Sequence, residues 1–129
     1  TGVLYDRKRD PLMLFDALKN LISGGIIDPD LVEVRFFGCL DTWLFDEIMD
    51  ANLENIVKVA GSIPREEALQ QQRESHLLLL LLWNNPKERG VYTGKVFDYL
   101  AARRPIIAIG GPEESVVKNL LEETGAGYF

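Results

Sequence analysis

Residues 77–83 (LLLLLLW) and 105–111 (PIIAIGG) are apolar at nearly every position. A half-exposed strand alternates apolar and polar side chains, so continuous runs of this length belong to strands covered on both faces, as in a parallel sheet flanked by helices. The leucine run lacks β-branched residues, which keeps a helix as its competing reading. Residues 32–38 (VEVRFFG) and 55–61 (NIVKVAG) are further strand candidates, and residues 11–23, 42–52, 65–75, 94–103 and 114–124 are helix candidates. Strand and helix patterns alternate, with short polar joints. That order predicts an α/β fold built on a parallel sheet.

The chain has 129 residues, 47% of them hydrophobic and 26% charged, close to the usual size of one domain with a sizeable core. No repeat, low-complexity tract or long linker interrupts it, so a single domain spanning residues 1–129 is expected. The formal net charge of −6 argues against a general nucleic-acid binder, whose affinity rests on clustered Lys and Arg. Any phosphate site must be local. Cys39 is the only cysteine, so no internal disulfide or thiolate zinc site can form; this fits a reducing cytoplasm, with Cys39 as a small buried hydrophobe. The leucine run is far shorter than the roughly 20 residues of a membrane span, and no signal-peptide pattern opens the chain. Peripheral membrane contact is compatible with these features. At the two ends, TGVLY reads as the last residues of a first strand and GAGYF as the start of a last one, so the chain is expected to be cut from a longer protein.

In an open α/β sheet, ligands bind beyond the carboxyl ends of the strands, where helix N-termini offer N–H groups to anions. Four of the five expected helix starts carry groups that answer their own dipole. These are Asp10 with Pro11, Asp41 with Thr42, Glu66 and Glu67 after Pro64, and Glu113 and Glu114 after Pro112. The fifth, residues 90–98 (GVYTGKVFD), differs. Gly90 and Gly94 allow close backbone approach, Thr93 offers a hydroxyl, and Lys95 places a cation where the macrodipole disfavours one by about 0.3–1 kcal/mol. An external phosphate at Thr93, Gly94 and Lys95 would account for the lysine. Asp98, one turn deeper, suits ribose hydroxyls, from which a carboxylate accepts hydrogen bonds. The same residues also fit a self-contained helix start, in which Thr93 caps the helix and Lys95 pairs with Asp98 for about 0.2–0.5 kcal/mol. In either case Val96, Phe97, Leu100 and Ala101 are expected to pack inward.

The segment TGKVFDYLAARRPIIAI resembles the donor site of group 1 retaining glycosyltransferases of the GT-B fold, one subgroup of which carries the signature G…KxFEYLAxGxPI. Residues 1–18 (TGVLYDRKRDPLMLFDAL) are similar to that family's first strand, phosphate-contacting loop and helix, and residues 57–69 (VKVAGSIPREEAL) to its V.F.G.VP.EEL segment. The resemblance implies a Rossmann-like three-layer αβα sandwich with a parallel sheet, the C-terminal, donor-binding half of a GT-B enzyme. Such a half closes against an N-terminal acceptor-binding half, and the complete protein transfers a sugar from a nucleotide-diphosphate sugar to an acceptor with retention. This half alone is expected to be inactive, and needs no metal or cofactor beyond the donor. By the resemblance, Arg9 corresponds to a basic residue on the donor diphosphate, and Thr93, Gly94 and Lys95 lie under that diphosphate. Asp98 matches a glutamate that holds the ribose, and Gly61, Ser62 and Ile63 lie in the loop whose backbone meets the nucleobase. The family's pair of glutamates flanking the donor loop appears here as Gly90 and Asp98, and Val3 stands where many members have arginine.

Other residues read more plainly. Arg9 also fits a solvated charge before a helix, and Arg103 and Arg104 fit cations covering a helix end. His76 is the only histidine and Cys39 the only cysteine, too few to build a metal site of those residues. Trp43 and Trp83 read as packing residues, with Trp83 also placed to line a cleft, and Glu88 and Arg89 lie in a polar loop from which either could reach a sugar. No Ser-His-Asp or Cys-His constellation is present. Two rivals to a transferase follow: a non-catalytic nucleotide- or partner-binding α/β module, and, on fold analogy alone, a receiver-type signalling domain.

Overall fold

The computed structural model describes residues 1–129. The chain is α/β, with five helices and two parallel sheets of two and three strands, consistent with a Rossmann-like αβα fold. It divides into two compact units, Thr1–Asp6 with Pro11–Ile63, and Arg7–Asp10 with Pro64–Phe129. Each unit has its own sheet, where the sequence predicted one. No helix is long and apolar enough to cross a membrane.

The first unit contains α1 (Leu12–Ser23), β1 (Val34–Phe37), α2 (Thr42–Asp50) and β2 (Val57–Ala60). β1 and β2 run parallel, Val34 opposite Val57 and Phe37 opposite Ala60. Spacing of three and four residues puts Phe15 with Leu18, and Leu44 with Ile48, on the buried faces of α1 and α2. Phe15 meets Phe36 of β1 edge to face at 6.3 Å, an arrangement that the ring quadrupoles favour. Cys39 is buried, as a small hydrophobe would be. The expected first strand at TGVLY does not form. The Gly2 N–H donates to the Phe37 carbonyl at 2.7 Å, but Tyr5, Asp6 and Arg7 adopt left-handed φ of 51°, 51° and 65°, which an extended strand cannot contain.

The second unit contains α3 (Arg65–Glu74), β3 (Leu78–Leu82), α4 (Gly94–Ala102), β4 (Ile106–Gly110), α5 (Val116–Thr124) and the short β5 (Gly127–Tyr128). Its sheet runs in the order β3-β4-β5, all parallel, with Leu78 opposite Ile106 and Ile106 opposite Gly127. The leucine run is thus a strand, and its ladder to β4 outweighs the weak β-propensity of leucine. GAGYF supplies the last strand. One side of the sheet presents Leu78, Leu80, Leu82, Ile106 and Ala108 at strand spacing to Val96 and Tyr99 of α4 and to Val117 and Leu121 of α5. The Tyr99 hydroxyl donates to the Leu79 carbonyl at 3.2 Å, so the core phenol has a partner.

The two arginines after α4 separate. Arg104 Nε donates to the Arg73 carbonyl at 2.7 Å, covering the end of α3 rather than of its own helix. Arg103 closes α4 in the left-handed conformation, φ 55° and ψ 42°, where a side chain costs roughly 1–2 kcal/mol. Glycine relieves that cost but also gains freedom in the unfolded chain. Arg103→Gly is therefore expected to stabilise the fold by about 0.5–1 kcal/mol, read as a higher urea midpoint at unchanged slope.

Candidate functional site

The helix starts differ from one another less than their sequences suggest. α1 begins after Pro11 rather than Asp10, with no side-chain cap, and Asp41 precedes α2 without capping it. Pro11 has no N–H to lose and its fixed φ already suits a helix entry, which makes an aspartate cap dispensable. α3 carries Glu66 and Glu67 in its first turn, as expected. α5 begins at Val116, so Glu113 and Glu114 precede it. The Ser115 hydroxyl accepts from the Val117 N–H at 3.2 Å, and the Arg89 carbonyl accepts from the Val116 N–H at 2.8 Å. That start is closed by the chain itself.

α4, like α1 and α2, starts with no side-chain cap and no carboxylate in its first turn, and Thr93 occupies its capping position. Two further features set it apart. The Thr93 hydroxyl is buried without a hydrogen-bond partner, an arrangement that costs about 1–3 kcal/mol unless another group supplies the bond. Lys95 is half-buried in the first turn. A Cβ built on Gly90 or Gly94 would meet nothing within 4 Å, and neither glycine has a positive φ. Neither packing nor backbone conformation demands glycine there, and the space over both is open.

The packing face of α4 is narrower than its sequence predicts. Val96 and Tyr99 are buried and Leu100 packs against the core, but Ala101 is exposed and Phe97 is 54% exposed. Phe97 instead meets Tyr92 at 5.7 Å between ring centres. Tyr92 immediately precedes the cap residue and Phe97 is the fourth residue of the helix, the spacing of a hydrophobic staple that fixes the entry angle of the chain.

Asp98 does not pair with Lys95. Its carboxylate is held by Arg65, the first residue of α3, with Nη2 3.0 Å from Oδ1 and Nη1 3.4 Å from Oδ2. Local sequence could not show this, because the two residues are 33 positions apart. The Tyr92–Phe97 staple did have a local signal in its five-residue spacing.

The second unit carries all the diphosphate and ribose candidates: Arg9, half-buried in the Arg7–Asp10 segment, and Thr93, Gly94, Lys95 and Asp98 on α4. Lys8 Nζ lies 4.6 Å from the centre of the Trp83 ring, a cation–π contact that ties this basic segment to the carboxyl end of β3. Trp83 is therefore a contact for the segment rather than a core residue. Gly61, Ser62 and Ile63 follow β2 in the first unit, and the Gly61 carbonyl accepts from the Gly38 N–H at 3.1 Å. An open groove of about 950 Å³ in that unit is lined by Lys19, Asp30, Glu33, Asn52 and Asn55, before β1 and β2 begin.

The loop between β3 and α4 is organised by its own bonds. Asn85 Oδ1 accepts from the Lys87 N–H at 3.0 Å, and the exposed Arg89 guanidinium lies 3.8 Å from the Glu114 carboxylate. No group of three or more His, Cys, Asp or Glu side chains is arranged to hold a metal ion. Comparison with protein-family models, with curated proteins and with solved structures found no match to this chain.

Proposed function

We propose that the second unit binds the diphosphate of a nucleotide sugar at the start of α4, and that the chain is the donor-binding part of a retaining glycosyltransferase. The observation that carries this reading is the buried Thr93 hydroxyl without a partner at the entry to α4, with the Lys95 cation in the same first turn. Helix amides and a lysine stabilise a diphosphate leaving group as negative charge develops on it, so this half supplies electrostatic catalysis and no protein base. Arg9 is a second cation for the diphosphate, and Asp98 accepts from the ribose hydroxyls. The transfer needs the acceptor-binding half, which the family resemblance places in the same protein. A cytoplasmic setting, with membrane contact through that half, belongs to the same reading.

Gly94→Ala tests the site without disturbing the core. Its Cβ would enter open space, so the melting temperature should hold or rise slightly, while affinity for UDP, GDP or ADP falls because the methyl group occupies the approach of the phosphate. Unchanged affinity for every diphosphate that binds would remove α4 as the site.

The Arg65–Asp98 ion pair favours a second reading, a nucleotide- or partner-binding module without transfer, because it closes part of the ribose acceptor within the chain. Sugar release from a bound nucleotide sugar by the complete protein distinguishes the two. Turnover supports the transferase, and tight binding without turnover supports the module.

A further inference from the structure

Ten of the twenty acidic residues but only three of the fourteen basic ones lie in the first unit. Of those three, Arg35 is held by Glu33, Lys58 Nζ donates to the Glu54 carbonyl, and Lys19 lines the groove with Ala51 and Asn52, just past α2. α2 itself carries Asp46, Glu47 and Asp50 and no basic residue. Glu47 and Asp50 lie in its last turn, the negative end of the helix dipole, where anions are disfavoured. Asp46 and Asp50 are four residues apart, the spacing at which like charges on a helix repel. No ion pair compensates either of these two.

The outer face of the same helix carries an apolar stripe. Phe45 and Met49, one turn apart, are 42% and 62% exposed, away from the buried pair Leu44 and Ile48. At about 3.6 residues per turn, the Asp46–Asp50 row runs directly beside the Phe45–Met49 row. Two large apolar side chains and two carboxylates without ion pairs thus share one side of a nine-residue helix. None of these features stabilises the chain by itself, and together they specify what can cover them.

A second copy of the chain would set these carboxylates against themselves, because a two-fold interface must be self-complementary. Anionic lipid surfaces and nucleic acids present phosphates, which an acidic face repels. An extended segment that adds to a sheet needs free backbone groups, and a helix face offers none. We infer that the outer face of α2 is a docking site for a basic amphipathic helix of a partner protein. Apolar side chains of that helix, at three- and four-residue spacing, interdigitate with Phe45 and Met49. Its Lys or Arg side chains meet Asp46 and Asp50 and answer the negative end of the dipole. Contact over two turns makes the interface a small and weak one. The inference does not involve the α4 start.

The probe is a synthetic peptide of leucine and lysine in an amphipathic helical pattern, with a control peptide in which every lysine is glutamate. The lysine peptide should shift the backbone amides of α2 saturably, and the glutamate peptide should not. Met49→Ser and Phe45→Ser should each weaken binding by at least about 5-fold, through lost apolar burial. Met49→Ser decides the matter if Phe45→Ser does not fold. Asp46→Asn combined with Asp50→Asn should weaken binding about 3- to 10-fold at low salt, and by less as salt rises. Glu122→Gln combined with Glu123→Gln removes the same charge from exposed positions on α5, and should leave affinity within about 2-fold. The Asp46, Asp50 variant should melt at or above the temperature of the unaltered chain, since it relieves like-charge repulsion and the conflict with the dipole.

Equal losses in the α5 and α2 charge variants would show unspecific attraction and overturn the inference. Saturable shifts confined to amides outside α2, equal binding of the glutamate peptide, or no binding up to millimolar peptide would also overturn it. A clearly lower melting temperature for the Asp46, Asp50 variant overturns it too, by showing that the carboxylates serve the chain's own fold. Sedimentation at rising concentration tests the second copy: a dimer that Met49→Ser abolishes assigns the face to self-association instead. Flotation with phosphatidylserine vesicles tests lipid, and retention that Met49→Ser abolishes assigns the face to a membrane instead.

Discussion

Lys95→Ala is expected to weaken nucleoside-diphosphate binding by about 10- to 100-fold, the range for losing a hydrogen bond to a charged group. Lys95 is half-buried in a first turn without carboxylates, next to a cap residue whose hydroxyl has no partner. This cation also opposes the helix dipole, which disfavours it by about 0.3–1 kcal/mol, so its removal should change stability by less than about 1 kcal/mol. A large loss of binding with little change in stability separates a ligand site from a structural lysine. A structural lysine would lose stability and leave affinity alone. Titration calorimetry with UDP, GDP and ADP, paired with thermal melts of both proteins, measures the two together. Higher salt should weaken binding to the unaltered chain more than to the variant, because one cation fewer faces the phosphates.

Gly110→Ala should cost stability on a larger scale, roughly 3 kcal/mol or more. Gly110 ends β4 with φ +82°, and a Cβ there would lie 2.6 Å from the Leu82 carbonyl oxygen of the paired strand. Two penalties combine: a left-handed backbone carrying a side chain, and a clash with main chain that cannot swing aside. The β3–β4 ladder would open at the end from which both strands lead toward helix starts. Circular dichroism during urea unfolding should show a lower midpoint. Substitution at Gly94, also in a loop-to-helix region, should show no such loss, because its Cβ would meet open space.

Several elements were legible because their patterns are local. Leu78, Leu80 and Leu82 alternate inward from β3, and Val117 and Leu121 are four residues apart on α5, so burial follows from spacing alone. Helix starts were less legible. Asp10 and Asp41 resemble caps in sequence and Glu114 a first-turn carboxylate, but helix entry depends on loop geometry: the Arg89 carbonyl and the Ser115 hydroxyl complete the entry to α5. Phe97 looked like a core residue because it is apolar and within reach of Val96. Its exposure follows from the stapling contact with Tyr92, a function of the helix entry rather than of the core. Arg65 had no local signal at all, since its partner is on another helix. The left-handed turn at Tyr5, Asp6 and Arg7 contains no glycine, so the residue types gave no warning of it.

The central claim is that a nucleoside diphosphate docks on the first turn of α4. Backbone amide NMR spectra of the chain, recorded as UDP, GDP or ADP is added into the millimolar range, test it most directly. The account predicts saturable shifts concentrated at Gly94, Lys95 and Val96, with Asp98 responding to the ribose and the same shifts much reduced in Lys95→Ala. Saturable shifts elsewhere in the chain with those amides unmoved, or no saturable shift with any of the three, would contradict it.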